Sequence, residues 1–113
     1  MIKKYIEERP WGKFERFTMN EKCTVKIITV KKGEAFSLQY HNNRDEFWHI
    51  LSGVGIVTLG EEKKEAKAGD EYMISKGTHH RMEATEEVKF LEIAFGEFDE
   101  NEIVRVEDKY NRI

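Results

Sequence analysis

The chain has 113 residues, 39% hydrophobic and 12% aromatic, which is enough for one domain with a modest core and excludes a disordered chain. The formal net charge of −3 gives no reason to expect nucleic acid as a partner. Charged residues make up 36% and are rich in Lys and Glu, a composition typical of proteins from hot environments. Cys23 is the only cysteine, so there is no disulfide framework. We expect a single domain over residues 1–113.

No targeting or membrane segment is evident in the sequence. The stretch from Met1 to Pro10 is charged and lacks the apolar region of a signal peptide. No apolar run approaches the ~18 residues that a membrane-spanning helix needs. We therefore expect a cytoplasmic protein that does not bind a membrane.

Short β-prone runs separated by glycines follow one another along the chain. Runs rich in Val, Ile, Phe and Thr predict strands over residues 14–19, 23–30, 46–51, 54–59, 71–74, 79–84 and 88–95. Residues 60–64 are typical of a polar hairpin tip. One short helix is predicted late, over residues 99–104, followed by a charged tail. This spacing indicates an all-β antiparallel sandwich or barrel.

Two polar clusters lie thirty-four residues apart on neighbouring predicted strands. The first contains Gln39, His41 and Glu46, and the second is the pair His79 and His80. Two imidazoles, a carboxylate and an amide can each give one lone pair to a divalent cation, and the absence of thiolate favours a borderline or hard ion. Since His79 and His80 point to opposite faces of a strand, they compete for one ligand position.

Both clusters, with their glycines, resemble the two signature motifs of the cupin superfamily. The first motif is matched by Gly33, Gln39, His41, Glu46 and Gly53, and the second by Gly69, Ser75, Gly77 and His80. The register of the second motif selects His80 over His79. The resemblance implies a double-stranded β-helix, or jelly-roll barrel, with a short C-terminal helix or tail.

A narrower resemblance covers nearly the whole chain. Several short motifs stand in the same order as in the type II mannose-6-phosphate isomerase domain, which elsewhere forms the C-terminal part of mannose-1-phosphate guanylyltransferases. They are Arg9-Pro10-Trp11-Gly12, Ser37-Leu38-Gln39, Arg44 with Glu46 and Trp48, His80-Arg81, Ile103-Val104-Arg105 and Glu107-Asp108-Lys109-Tyr110. These 113 residues carry no Gly-rich nucleotide loop, so we expect no guanylyltransfer from them.

This resemblance implies an enzyme that interconverts mannose 6-phosphate and fructose 6-phosphate through an enediol or enediolate. It also implies a homodimer and one divalent metal ion per chain, Zn first, with Mn, Co, Fe, Ni or Mg as alternatives. The metal ligands would be Gln39, His41, Glu46 and His80. The small-molecule partner would be a sugar phosphate.

Isomerisation needs a base that moves a proton between C1 and C2. Glu92 and Lys26 are the candidates that we retain, because a charged residue inside a β-prone run is costly unless it is paired or used. His49 is a third candidate, but it alternates with Trp48 and is expected to face outward.

The phosphate needs cationic contacts, ideally the planar fork of an arginine. Arg44 lies between two predicted ligands and is the first candidate. The remaining predicted substrate-binding residues are Arg81, Arg9 and Lys109 for the phosphate, and Trp48 and Tyr110 as walls of a sugar pocket.

Two alternatives stay open at this point. The family usually has His where Phe47 stands and Gln where Ala94 stands. The chain is therefore also compatible with a non-catalytic metal-containing cupin that binds a sugar or another ligand, or with an isomerase or epimerase acting on another sugar phosphate.

Overall fold

The computed structural model describes residues 4–110. Within that range the chain forms eleven β-strands and no helix, which confirms the all-β prediction. In chain order the strands are Tyr5–Arg9 (β1), Gly12–Arg16 (β2), Cys23–Val30 (β3), Leu38–Tyr40 (β4), Glu46–Ser52 (β5), Val54–Leu59 (β6), Glu62–Lys67 (β7), Glu71–Ile74 (β8), His80–Ala84 (β9), Val88–Phe95 (β10) and Val104–Glu107 (β11).

Two antiparallel sheets form the barrel. One has the order β3-β10-β5-β8 and the other the order β11-β4-β9-β6-β7, so all neighbouring strands except the β6–β7 hairpin are non-consecutive in sequence, as in a jelly roll. Strands β1 and β2 make a separate two-stranded hairpin. Strands β3 and β11 are edge strands of their sheets, and the residues between β10 and β11 lead from one sheet to the other.

The core lies between the two sheets and follows the period-two alternation of the strands. On β5, the side chains of Trp48 and Ile50 are buried, and on β10 the side chain of Phe90 is buried beside them. The Trp48 ring centroid lies 4.6 Å from that of Phe90 and 5.9 Å from that of Phe36. Trp48 therefore belongs to the aromatic part of the core between the two sheets.

The predicted C-terminal helix is wrong. Residues Asp99 to Glu102 form a turn in which the Glu102 N–H donates to the Asp99 carbonyl and the Asn101 N–H donates to the Asp99 carboxylate. The residues that follow alternate β-branched and charged side chains and pair with β4 as strand β11. Pairing with a sheet edge satisfies backbone groups that a one-turn helix would leave without partners.

Strand β7, which the sequence analysis placed partly in a hairpin tip, extends the second sheet beyond β6. Its sequence is almost entirely charged, and among its residues only Ala66 is buried. Because only one residue of β7 faces inward, its sequence shows no alternation of apolar and polar residues. Strand patterning therefore could not predict the full extent of β7. Among residues 4–110 there is no helix of the length and apolar character needed to cross a membrane.

Gly53, between β5 and β6, is required by close packing as well as by backbone conformation. Its φ is +85°, and a Cβ there would lie 1.9 Å from the carbonyl oxygen of Glu87. Gly60, in the next turn, has φ +61° but no atom within 4 Å of such a Cβ. A side chain at Gly53 would therefore meet both conformational strain and steric overlap, whereas one at Gly60 would meet conformational strain alone.

We predict that Gly53→Ala lowers the free energy of unfolding by about 2–5 kcal/mol, since left-handed strain and overpacking both act there. Gly60→Ala should lose only about 1–2 kcal/mol, the strain alone. Urea unfolding of the two variants followed by tryptophan fluorescence measures the difference. Equal losses would contradict the close approach of the Gly53 turn to Glu87.

Candidate metal centre

Three potential metal ligands meet at one end of the barrel. His41 follows β4, Glu46 begins β5 and His80 begins β9, and their exposed fractions are 3%, 1% and 1%. The Glu46 carboxylate lies 3.5 Å from His41 Nε2 through Oε2 and 3.6 Å from His80 Nε2 through Oε1. One ligand atom from each residue lies within 4.8 Å of the others.

Backbone carbonyls fix the orientation of both imidazoles. His41 Nδ1 lies 2.7 Å from the Glu102 carbonyl oxygen, and His80 Nδ1 lies 2.9 Å from the Thr78 carbonyl oxygen. A carbonyl can only accept, so each Nδ1 carries the hydrogen, and each Nε2 is the ring nitrogen on the side of the Glu46 carboxylate. Burial lowers the pKa of His80, which keeps this ring neutral, as metal binding requires.

The donor set fits a divalent cation. Glu46 Oε1 and His80 Nε2 are buried and have no hydrogen-bond partner among residues 4–110, which is unusual for two polar atoms 3.6 Å apart. Two ligands, each about 2.1 Å from one ion at a tetrahedral angle, stand about 3.4 Å apart. The residues present therefore could hold a metal such as Zn.

Arg44 is part of this cluster rather than a free cation at its rim. The side chain is 8% exposed, and its Nε donates to Glu46 Oε2 over 2.8 Å. Its Nη2 lies 3.2 Å from His41 Nε2, and its Nη1 donates to the Asp99 carbonyl oxygen over 3.1 Å. All three guanidinium nitrogens thus face protein acceptors, and the predicted phosphate contact of Arg44 stays a prediction.

Gln39 lies beside the three residues, directly opposite His80 in the β4–β9 pairing. The hydroxyl of the buried Ser37 donates to Gln39 Oε1 over 2.6 Å, which fixes the amide. An amide oxygen has a second lone pair. The assignment of Gln39 as the fourth ligand stays a prediction.

The cluster opens into a pocket of about 440 Å³. Side chains from both sheets and from the β10–β11 connection line it, and they are Lys26, Ile28, Phe36, Gln39, His41, Arg44, Glu46, Glu92, Glu100, Asn101, Ile103 and Arg105. Both predicted base candidates, Glu92 and Lys26, therefore share one cavity with the potential metal ligands His41 and Glu46.

Glu92 is a buried carboxyl group in this pocket, 7% exposed. Burial, with the charge of Glu46 added, raises the pKa of Glu92 to about 7. The indole N–H of Trp48 donates to Glu92 Oε2 over 3.1 Å and holds the carboxyl in place. A carboxyl that titrates near neutrality can both take and return a proton at working pH.

Lys26 lies opposite Glu92 on the neighbouring strand, but its ammonium group points to the pocket mouth. Lys26 Nζ donates to Glu100 over 3.1 Å and stands 4.3 Å from the Phe98 ring centroid. His49 lies on the outer face of β5, where its Nδ1 is 2.6 Å from Glu71 Oε2. Of the three candidate bases, Glu92 is the buried one that faces the pocket.

Several predicted substrate-binding residues lie outside this pocket. Arg81 is on the opposite face of β9 from His80, and it donates to the carbonyl oxygens of Phe36 and Glu107. Lys109 donates to the Gly33 carbonyl oxygen and to Glu34.

Of the remaining three predicted contacts, two lie away from the ligand cluster and one lies beside it. The Tyr110 hydroxyl donates to Glu34, which ties the C-terminal segment to the β3–β4 connection. Arg9 pairs with Glu7 on the β1–β2 hairpin. Trp48 lies in the core, with its ring centroid 5.6 Å from that of His80.

Glu102 stabilises the segment after β4 that begins with His41. No role for Glu102 was predicted from the sequence. Its carboxylate accepts the N–H groups of Asn42 and Asn43 over 3.0 and 2.7 Å, while its carbonyl orients His41. Burial works against ionisation of Glu102, but the two amides hold its pKa below the ordinary value. No motif signals this contact, because it joins a side chain to a backbone carbonyl 61 positions away.

We predict that His41→Ala removes most of the bound metal, while His79→Ala leaves it nearly intact. His79 is the matched control because it is exposed and stacks on Tyr40, with ring centroids 4.8 Å apart. Elemental analysis of the purified variants measures the metal content. Equal loss from both variants would contradict the assignment of His80 as the ligand on β9.

We also predict that Glu92 makes the chelator-treated protein less stable as the pH rises. A carboxyl whose pKa is near 4.5 unfolded and about 7 folded binds more protons in the folded state, so stability falls between these pH values. Glu92→Gln should abolish up to about 3 kcal/mol of this fall. Thermal unfolding at pH 5 and pH 8 tests it, and an unchanged pH dependence in the variant would contradict it.

Comparison with known proteins agrees with the geometry of this site. Residues 3–108 match the family described as mannose-6-phosphate isomerase C-terminal. The mannose-1-phosphate guanylyltransferase ManC of Salmonella typhimurium is 35% identical over 108 residues, which cover 93% of this chain and 22% of that protein. The xanthan biosynthesis protein XanB of Xanthomonas campestris is 37% identical over 107 residues, covering 92% and 23%. The chain thus spans less than a quarter of the length of these relatives.

Solved structures show the same fold. Oxalate decarboxylase from Bacillus subtilis, a cupin, superposes with a TM-score of 0.68 at 24% identity, covering 76% of this chain and 24% of that one. The capsular polysaccharide assembling protein CapF from Staphylococcus aureus superposes with a TM-score of 0.66 at 18% identity, covering 93% and 33%. The chain has the cupin fold and belongs to the mannose-6-phosphate isomerase C-terminal family.

Proposed function

We propose that this domain is a divalent-metal-dependent isomerase that interconverts mannose 6-phosphate and fructose 6-phosphate. One observation carries the proposal: the pocket holds both a cluster of potential metal ligands and a buried carboxyl group with a pKa of about 7. Aldose–ketose isomerisation needs an electrophile and a base in the same cavity. We choose mannose 6-phosphate as the sugar because the chain belongs to the mannose-6-phosphate isomerase C-terminal family.

The ion would be held by His41, Glu46 and His80, with Gln39 as a fourth ligand. When bound, it would supply Lewis acidity toward the oxygens on C1 and C2 of the sugar. Zn suits two imidazoles and a carboxylate, and the amide oxygen of Gln39 also suits harder ions such as Mn or Mg.

Glu92 is the residue that we assign as the base. Its carboxylate takes the proton from C2 of the aldose and gives an enediolate. The hydroxyl proton then passes from O2 to O1, and the carboxylic acid returns a proton to C1, which gives the ketose with its carbonyl at C2. The Trp48 N–H holds Oε2, so Oε1 is the oxygen left for proton transfer. Lys26 bonds to Glu100 at the mouth, where a cation can meet an anionic substrate as it enters.

Ala94 favours a second candidate function, a cupin that binds sugar phosphates without turning them over. Ala94 is buried on the same face of β10 as Glu92 and lies directly opposite Glu46. The family usually places a Gln side chain there. The site thus lacks one polar group close to the ligand cluster.

We predict that the metal-loaded protein interconverts the two sugar phosphates, that chelation abolishes turnover, and that solvent deuterium enters C2 of mannose 6-phosphate. Glu92→Gln should lower kcat by about 100-fold or more with little change in substrate binding, because the amide keeps the shape but cannot accept the proton. A coupled assay with NMR detection of deuterium measures both effects.

Glu83→Gln is the matched control, since Glu83 lies on the outer face of β9 and pairs with Arg81. It should retain full turnover. Binding of mannose 6-phosphate without turnover or deuterium exchange, in protein of full metal content, would support the non-catalytic cupin instead.

A further inference from the structure

Arg105 lines the pocket and has no hydrogen-bond or ion-pair partner among residues 4–110. It lies on β11 directly opposite Gln39, is half-buried, and lines the same cavity as the ligand cluster. Its Nε is buried and has no hydrogen-bond partner among residues 4–110. No carboxylate in that part of the chain lies within 4 Å of its guanidinium.

The other two arginines of the barrel are engaged by protein groups. Arg44 directs its three nitrogens to Glu46, His41 and the Asp99 carbonyl. Arg81 donates to two carbonyl oxygens on the far side of the sheet. A buried guanidinium donor left unsatisfied is costly, and a ligand that accepts from it would remove that cost.

We propose that Arg105 binds the phosphate of the substrate, in place of Arg44, and so selects phosphate monoesters for this pocket. This inference rests on the proposed function, because it takes a sugar phosphate as the occupant. The planar guanidinium fork matches two oxygens of a phosphate dianion, and partial burial strengthens the contact relative to one in water.

The position of Arg105 suits the shape of a hexose 6-phosphate. Arg105, Gln39 and His80 lie in register across β11, β4 and β9. Adjacent strands are about 4.8 Å apart, so Arg105 starts about 10 Å from His80. The phosphate is at C6, the far end of the sugar from C1 and C2. With the phosphate on Arg105, the reacting carbons extend toward His80 and Glu92.

The charge balance of the pocket favours an anion at this end. Glu46 is compensated by Arg44, and Lys26 by Glu100. Among the described residues that line the cavity, Arg105 is therefore the cation that no carboxylate pairs with.

The test is calorimetric titration of the full metal-loaded chain with mannose 6-phosphate, mannose and inorganic phosphate. Arg105→Gln should raise the Kd for mannose 6-phosphate by about ten- to hundred-fold and weaken inorganic phosphate similarly, with no change for mannose. Arg105→Lys should lose less, because it keeps the charge but not the fork. Arg16→Gln, which removes an equal charge from the β1–β2 hairpin, should bind like the parent.

Metal content and the melting temperature of each variant show whether the fold and the ligand cluster are intact. Unchanged mannose 6-phosphate affinity in folded Arg105→Gln overturns the inference, as does a parent protein that binds neither phosphate compound. Isomerase turnover is measured in a separate assay. A parent that binds mannose 6-phosphate through Arg105 but does not isomerise it contradicts the proposed function and leaves the phosphate assignment supported.

Discussion

The buried carboxylate of Glu46 is the constraint around which this end of the barrel is arranged. At 1% exposure its charge is unfavourable unless it is compensated, and the Nε of Arg44 provides the compensation at 2.8 Å. Arg44 in turn requires the Asp99 carbonyl, so the β10–β11 connection must fold back over the pocket. That connection brings Glu102 to His41. One buried charge thereby determines the position of a whole segment.

Two carboxyl groups in the same cavity have different environments, which separates their roles. Glu46 has a guanidinium beside it and two imidazoles opposite it. Glu92 has an indole N–H and an apolar floor, and burial near Glu46 raises its pKa to about 7. A buried carboxyl group whose pKa is raised toward neutrality is typical of acid–base sites. The pair thus allows one carboxylate to bind a cation while the other exchanges a proton.

Strand alternation carried most of what the sequence could predict. It put His79 and His80 on opposite faces and predicted that His49 faces outward, because inward and outward positions leave a period of two in the residue pattern. The role of Glu102 could not be found this way, since its contacts to His41 and Asn43 each join a side chain to a backbone group that is distant in sequence. Lys109 and Tyr110 belong to a recognisable motif, yet both bond to Glu34, outside the pocket. A sequence motif shows that its residues have a role in the family. It does not show whether that role is to bind a ligand or to stabilise the fold.

The position of the Glu102 carbonyl has a consequence for the order in which the site forms during synthesis. The three potential metal ligands leave the ribosome before Glu102, which follows His41 by 61 positions. A nascent chain that ends after β10 has every metal ligand but lacks the acceptor that fixes the His41 tautomer. Closing so long a segment carries an entropy cost that only the finished sheet offsets. A correctly oriented pair of imidazoles is therefore a property of the completed barrel.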